Sequence, residues 1–174
     1  MTLPSYLNLY RRDMAKKIDK TNAARLLDKA GISYQLIPYE VDENDLAAQH
    51  VADCLGQDIS MVFKTLVLHG DKSGHIVCVV PGHMEVDLKA LAKASGNKKV
   101  EMIAMKDLLS VTGYIRGGCS PIGMKKRFPT YFHSTALEFD HIYVSAGVRG
   151  MQIEINPEKL IQFVGGSVAD VACI

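Results

Sequence analysis

The run Met61-Val62-Phe63-Lys64-Thr65-Leu66-Val67-Leu68 and the run from His75 to Val80, separated by Asp71-Lys72-Ser73-Gly74, constrain the fold more than any other part of the chain. Both runs are apolar and β-branched, and the polar tetrad between them can reverse the chain, so the pair predicts a β-hairpin. One lysine interrupts the first run. An ammonium on a mostly apolar strand costs desolvation unless a phosphate, carboxylate or carbonyl meets it, so Lys64 reads as a ligand-facing residue. Its other reading is an edge-strand lysine that blocks unwanted pairing while its stem covers apolar surface.

Around the hairpin the pattern alternates between helical and extended periods. Thr21 can cap a helix whose Ala23, Leu26, Leu27 and Ala30 share a face, with Gly31 as its stop. A strand from Ser33 to Pro38 follows. Asp45 is the expected cap of a second helix that buries Ala48, Val51, Ala52 and Leu55 and ends at Gly56. Asp87 to Ser95 reads as a helix stopped at Gly96, Val100 to Ile103 as a strand, and Lys106 to Ser110 as a short helix. Strand signals recur at Thr130 to His133, His141 to Ser145 and Met151 to Ile155. Asn156-Pro157 opens a last helix closed by Gly165, because proline at the first helical position gives up no needed N–H. Hairpins mixed with helical crossovers imply an α+β fold, a single domain with a mixed central β-sheet surrounded by helices.

Length and charge narrow the function. A chain of 174 residues, 48% of them hydrophobic, fits one compact domain. Twenty basic against nineteen acidic residues leave a net charge of +1, so no global field draws the protein to DNA or an anionic membrane, and any RNA contact must be local. Residues 1–20 carry five Lys or Arg against two Asp and no core-facing period, which predicts a loose basic arm before a globular region over 21–174. No secretory signal or bilayer-length apolar stretch is evident, so a cytoplasmic location is expected. Cys54, Cys78, Cys119 and Cys173 form no paired metal motif, and no metal or cofactor is expected. His50, His69, His75, His83, His133 and His141 are scattered and read as surface or turn residues.

The stretch from Gly113 to Thr130 has the most chemical character outside the hairpin. It contains Gly117-Gly118-Cys119-Ser120-Pro121-Ile122-Gly123 and four basic residues, with no acidic one. Glycines allow close main-chain approach to a ligand, and Arg116, Lys125, Lys126 and Arg127 could hold a phosphodiester; a solvated surface loop is the alternative. Neither a phosphate-binding nucleotide-hydrolase loop nor a dinucleotide fingerprint is present. Cys119 lacks a cationic partner that sequence can place beside it, so it reads as a packed, inert thiol. Ser145, at the end of Tyr143-Val144-Ser145-Ala146-Gly147, is a hydrogen-bond candidate, but it lacks the Gly-x-Ser-x-Gly context of a serine nucleophile.

Together, Phe63-Lys64-Thr65-Leu66, Lys98 to Met102, Thr112-Gly113-Tyr114, the Gly117 to Gly123 run with Lys125-Lys126, and Ile142-Tyr143-Val144-Ser145 resemble the YbaK/EbsC family over about residues 21–171. That family is related to the editing domain of bacterial prolyl-tRNA synthetases. The resemblance implies the YbaK/prolyl-tRNA synthetase-associated domain fold and a free-standing, trans-editing deacylase of mischarged Cys-tRNA(Pro), with Cys-tRNA(Cys) as a second substrate. It further implies Lys64 as the essential lysine, Tyr39, Thr65, Gly117, Gly118 and Ser145 as substrate-binding residues, and aminoacyl-tRNA and a transiently bound prolyl-tRNA synthetase as partners. Strict strand alternation would point Thr65 away from Lys64. Departures are Pro38 before Tyr39, Ala146 where relatives often carry glycine, and Cys119 where they often carry an aliphatic residue. Alternatives are deacylation of another mischarged tRNA such as Ala-tRNA(Pro), noncatalytic binding of tRNA ends, and a structural or interaction role.

Overall fold

The computed structural model describes residues 19–174. Most of the basic arm expected over 1–20 lies outside the described residues. In chain order the elements are α1 (Asn22–Lys29), β1 (Tyr34–Pro38), α2 (Ala48–Leu55), β2 (Phe63–Gly70), β3 (Gly74–Pro81), β4 (Glu85–Val86), α3 (Leu88–Ser95), β5 (Val100–Met102), α4 (Leu108–Thr112), β6 (Thr130–His133), β7 (Ile142–Ser145), β8 (Met151–Ile155), α5 (Pro157–Val164), β9 (Ser167–Ala169) and β10 (Ala172–Cys173). The architecture is α+β, as the alternation of periods implies.

Side-chain caps start three of the helices where the sequence places them. Thr21 accepts from the Ala24 N–H, Asp87 from Ala90 and Asn156 from Lys159, each satisfying a donor that the first helical turn leaves free. Three details differ from expectation, one being that the short helix expected over Lys106 to Ser110 is a 3-10 turn at Met105–Asp107 followed by α4 at Leu108–Thr112. Asp45 does not cap α2: the N-cap is Ala47, with no side-chain bond, and Asp45 instead accepts from the Ala47 N–H at 3.3 Å, shaping the turn before the helix. In α1 the buried residues are Ala23, Ala24 and Leu27, while Ala30 is exposed because the helix ends one residue before it.

Five strands form a mixed sheet in the order β5-β2-β3-β6-β9. The predicted hairpin pairs β2 and β3 antiparallel from Phe63 with Pro81 to Gly70 with Gly74, and β6 and β9 add in parallel. A second, antiparallel sheet of order β1-β8-β7 and a short β10-β4 pair complete the strands. Sequence reasoning assigned β1, β7 and β8 as strands but not to a sheet of their own. The main core joins the two larger sheets: Phe63, Val67, Val77, Val79 and Phe132 from one meet Ile142, Val144, Ile153 and Ile155 from the other, with Leu27 and Leu160 of the flanking helices. Leu68, Ile76, Cys78 and Val80 face the other way and pack on Leu91 of α3. A third cluster seats α2 through Val51, Ala52 and Leu55 against Val62 and Tyr143.

One histidine departs from the surface reading. His133 is buried, and its Nδ1 accepts from the Val171 N–H at 3.2 Å, fastening the C-terminal segment to β6. Among the described residues, no helix is long and apolar enough to cross a membrane.

Candidate active site

The site forms where the two larger sheets part. Val62 and Tyr143 make a single parallel bridge, and two residues further along each chain stand Lys64 and Ser145. On the same side of β2, β5 pairs only with Leu68, His69 and Gly70. Between them, Lys64 to Leu66 of β2 pair with no strand on this edge among the described residues. Ile103 donates its N–H to the Val67 carbonyl at 3.2 Å, which fixes the side to which Val67 turns its main-chain groups. By strand alternation Thr65 turns its own N–H and C=O to that side too.

A cleft of about 490 Å³ follows this edge. Its walls include Phe63, Val67, Ile103 and Leu108, and its polar lining includes Lys64, Thr65, Arg116, Gly117, Ser145 and Gln152. Alternation does hold along β2. Because the cleft runs along the strand's edge, residues from both faces border it, and Lys64 and Thr65 reach the same space from opposite faces of the strand.

Lys64 is a partly covered cation, with a quarter of its side chain exposed, and its Nζ lies 3.2 Å from Oε1 of Glu85 on β4. Sequence predicts a carboxylate, phosphate or carbonyl here, and the protein itself provides the first. Glu85 also lines the cleft but is largely solvated, at 76% exposure, so this pair is weakly held and exchangeable. Arg116 brings a second cation to the lining.

Gly117 enters the cleft in a left-handed conformation with φ +83°. It is pinned from behind by Arg149, whose Nε donates to the Arg116 carbonyl at 2.9 Å and whose Nη1 pairs with Glu43 at 2.6 Å. A Cβ at Gly117 would stand 3.3 Å from that Nε, so the backbone conformation and the close packing together require glycine. Gly118 does not line the cleft. A Cβ there would meet the Val148 and Arg149 backbone at 3.2 Å, so its part is to let the loop pack against the β7–β8 turn. Tyr39 does not line the cleft either; it packs against the cluster of Val51, Ala52, Leu55, Val62 and Tyr143 that seats α2.

Cys119 borders the cleft, and burial pushes its thiol up to about 12. It stays protonated at neutral pH and is a poor nucleophile. No histidine is among the lining residues described, so neither Cys119 nor Ser145 has an imidazole base at hand. The Ser145 Oγ accepts from the Gly147 N–H at 3.1 Å, leaving its own proton free to donate.

Sequence reasoning missed Gln152, Arg149 and Glu85. Gln152 had a legible signal: it interrupts Met151, Ile153 and Ile155, which belong to the main core, and so must point to the opposite face. Opposite Gln152 on β7 is Ser145. Arg149 and Glu85 gave no local signal, because their partners are distant in sequence.

Residues 42–163 match the family model described as the aminoacyl-tRNA editing domain. A relative from Enterococcus faecalis, EbsC, named as a candidate Cys-tRNA(Pro)/Cys-tRNA(Cys) deacylase, is 52% identical over 160 residues, covering 91% of this chain and 98% of the relative. A proline–tRNA ligase of Staphylococcus aureus is 23% identical over 141 residues, covering 81% of this chain but 24% of the ligase. A crystal structure described as a candidate trans-editing enzyme for prolyl-tRNA synthetase superposes with a TM-score of 0.77 at 21% identity, covering 90% of this chain and all of that one; it speaks to the fold. On the family match and the similarity to EbsC, the chain belongs to the aminoacyl-tRNA editing domain family.

Proposed function

We propose that the protein is a trans-editing deacylase that releases cysteine from mischarged Cys-tRNA(Pro), and that Cys-tRNA(Cys) is a second substrate. The observation that carries this reading is the meeting of Lys64, Gly117 and Ser145 in one cleft that lacks a nucleophile–base pair among its described lining residues. Such a cleft can bind and orient an aminoacyl ester, while the attacking group comes from elsewhere.

The substrate's own thiol fits that requirement. Its sulfur bonds to the ester carbonyl carbon, the bond from that carbon to the ribose oxygen breaks, and the thiol proton ends on the ribose oxygen. The products are a cyclic thiolactone and tRNA with a free hydroxyl, and no redox partner is needed. Lys64 and Arg116 hold the terminal ribose and phosphate, with the substrate displacing the exposed Glu85 carboxylate from Lys64. Gly117 brings main-chain groups to the aminoacyl moiety, and the Ser145 hydroxyl donates to it. Thr65 adds a hydroxyl from the β2 edge. Tyr39 acts only indirectly, by seating α2 against the cleft wall.

Selectivity follows from the same chemistry. Cysteine and proline are close in size, and a pocket gains only about 1–3 kcal/mol per methylene of difference. A step that requires the substrate's thiol spares Pro-tRNA(Pro) outright. The near-zero net charge gives little grip on the tRNA body, which favours transient association with prolyl-tRNA synthetase.

The test is hydrolysis of Cys-tRNA(Pro), with Pro-tRNA(Pro) and Ala-tRNA(Pro) as comparators and with or without the synthetase. Cys-tRNA(Pro) is cleaved and Pro-tRNA(Pro) is not. Lys64→Ala lowers the rate by about 100-fold or more, a loss of roughly 3 kcal/mol in transition-state binding. Preferential cleavage of Ala-tRNA(Pro) would replace the thiol mechanism with attack by water, and an unchanged rate for Lys64→Ala would remove Lys64 from the site.

A further inference from the structure

Two buried polar atoms in the described structure have no hydrogen-bond partner and sit on residues that line the cleft: the Thr65 hydroxyl Oγ1, which can donate or accept, and the Gln152 amide Oε1, which only accepts. Gln152 is 5% exposed. It is held on the middle strand of the three-stranded sheet, opposite Ile37 on one side and Ser145 on the other. A polar side chain fixed on a central strand, with a bare acceptor beside a cavity, is the pattern of a site built for a donor that arrives with the ligand.

We propose that Gln152, with Thr65, forms the seat for the α-ammonium group of the aminoacyl moiety; this rests on the reading of the cleft as an aminoacyl-ester site. The chemistry of the ester selects the ammonium. Its carbonyl and bridging oxygens are acceptors, which the Thr65 hydroxyl can meet as a donor but which leave Gln152 Oε1 as bare as before. The thiol of a cysteinyl group is a weak donor. The α-ammonium carries three strong N–H donors, and a charged donor makes the stronger class of hydrogen bond. The Ser145 hydroxyl, directly across the strand pair from Gln152, has its proton free to meet the neighbouring carbonyl. Amine and carbonyl would thus be read by adjacent side chains. Gln152 would then discriminate free aminoacyl groups from N-blocked ones, such as peptidyl or formylated esters, whose nitrogen carries no charge.

Binding of two uncleavable probes to the full chain tests this: 3′-deoxy-3′-(cysteinylamino)adenosine and its counterpart lacking the α-amino group, the 3-mercaptopropionyl amide. The parent protein binds the amine-bearing probe about tenfold or more tightly, as expected for a charged hydrogen bond. Gln152→Met, similar in shape but without the acceptor, brings the two affinities to within about twofold by weakening only the amine-bearing probe. Gln152→Glu keeps an acceptor and retains or enlarges the preference. It also decides the matter if the methionine variant does not fold. The proposal is overturned by equal binding of both probes to the parent, by an unchanged preference in Gln152→Met, by equal weakening of both probes, or by loss of the preference in Gln152→Glu. Failure to hydrolyse Cys-tRNA(Pro) would strike the deacylase reading instead, because the probe affinities are measured without turnover.

Discussion

Lys64 and Cys119 stand in the same cleft with opposite chemical fates. Lys64 keeps an ammonium that a solvated carboxylate can hold and then yield. Cys119 is held as a thiol by burial, which raises the free energy of its thiolate. Replacing Cys119 by alanine therefore leaves the deacylation rate within about threefold of the parent, because the deleted sulfur takes no part in bond making. A rate loss of 100-fold, measured under single turnover, would instead make the thiol a nucleophile. At this scale the sequence was informative about Lys64, whose charge was anomalous among its neighbours, and about Cys119, which lacked a nearby activating partner. It was blind to Glu85: a lone carboxylate on a two-residue strand carries no periodic signal, and its meeting with Lys64 depends on the turn between β3 and β4.

The element that shapes the site is the loop from Gly113 to Gly123, and Tyr114 is its clamp. The Tyr114 hydroxyl donates to the Ile122 carbonyl, and its ring lies against Gly147, where an added Cβ would come within 2.9 Å of Cε1. Gly147 also has φ +101°, a backbone conformation that costs L residues about 1–3 kcal/mol. Gly147→Ala therefore destabilises the protein by about 2–4 kcal/mol, summing backbone strain with the displaced ring; urea unfolding measures it, and a loss below about 0.5 kcal/mol would mean that the turn relaxes freely. Most elements were legible because their signals are local. Thr130–His133, Met151–Ile155 and Pro157–Val164 have the bounds that alternation and capping imply. The strands β4, β9 and β10 span two or three residues each, too short for a period to show, and exist because a neighbouring strand supplies their hydrogen bonds. The start of α2 was misplaced because Asp45 has the chemistry of a cap but spends it on the turn before the helix.

Across the whole molecule, the C-terminal segment ties distant parts together. Val171 donates its N–H to His133 Nδ1 and accepts from the Asp87 N–H through its carbonyl, while β10 pairs with β4, the strand that carries Glu85. A protonated Nδ1 cannot accept, and burial lowers His133 from its ordinary value of 6.5 despite the opposing pull of Asp170 and Glu138. The unfolded chain then binds the proton more readily than the folded one. The stabilisation is fully present above about pH 6.5 and is lost as pH falls from there through the lower folded value. Urea unfolding at about pH 7.5 and 5.5 shows a smaller acid loss in His133→Asn than in the parent; equal losses would place the acid sensitivity elsewhere. By itself the sequence determined most of the helices and the longer strands, which faces are apolar and which lysine is anomalous, because caps, alternation and glycine stops act over a few neighbouring positions. Only the tertiary structure decided that β1, β7 and β8 make a separate sheet, that the gap beside β2 becomes a cleft, and that Gln152 and Arg116 line it while Tyr39 and Gly118 do not. The physical reason is that a cleft is the space left between surfaces, fixed by pairings such as Ile37 with Gln152 that join segments far apart along the chain.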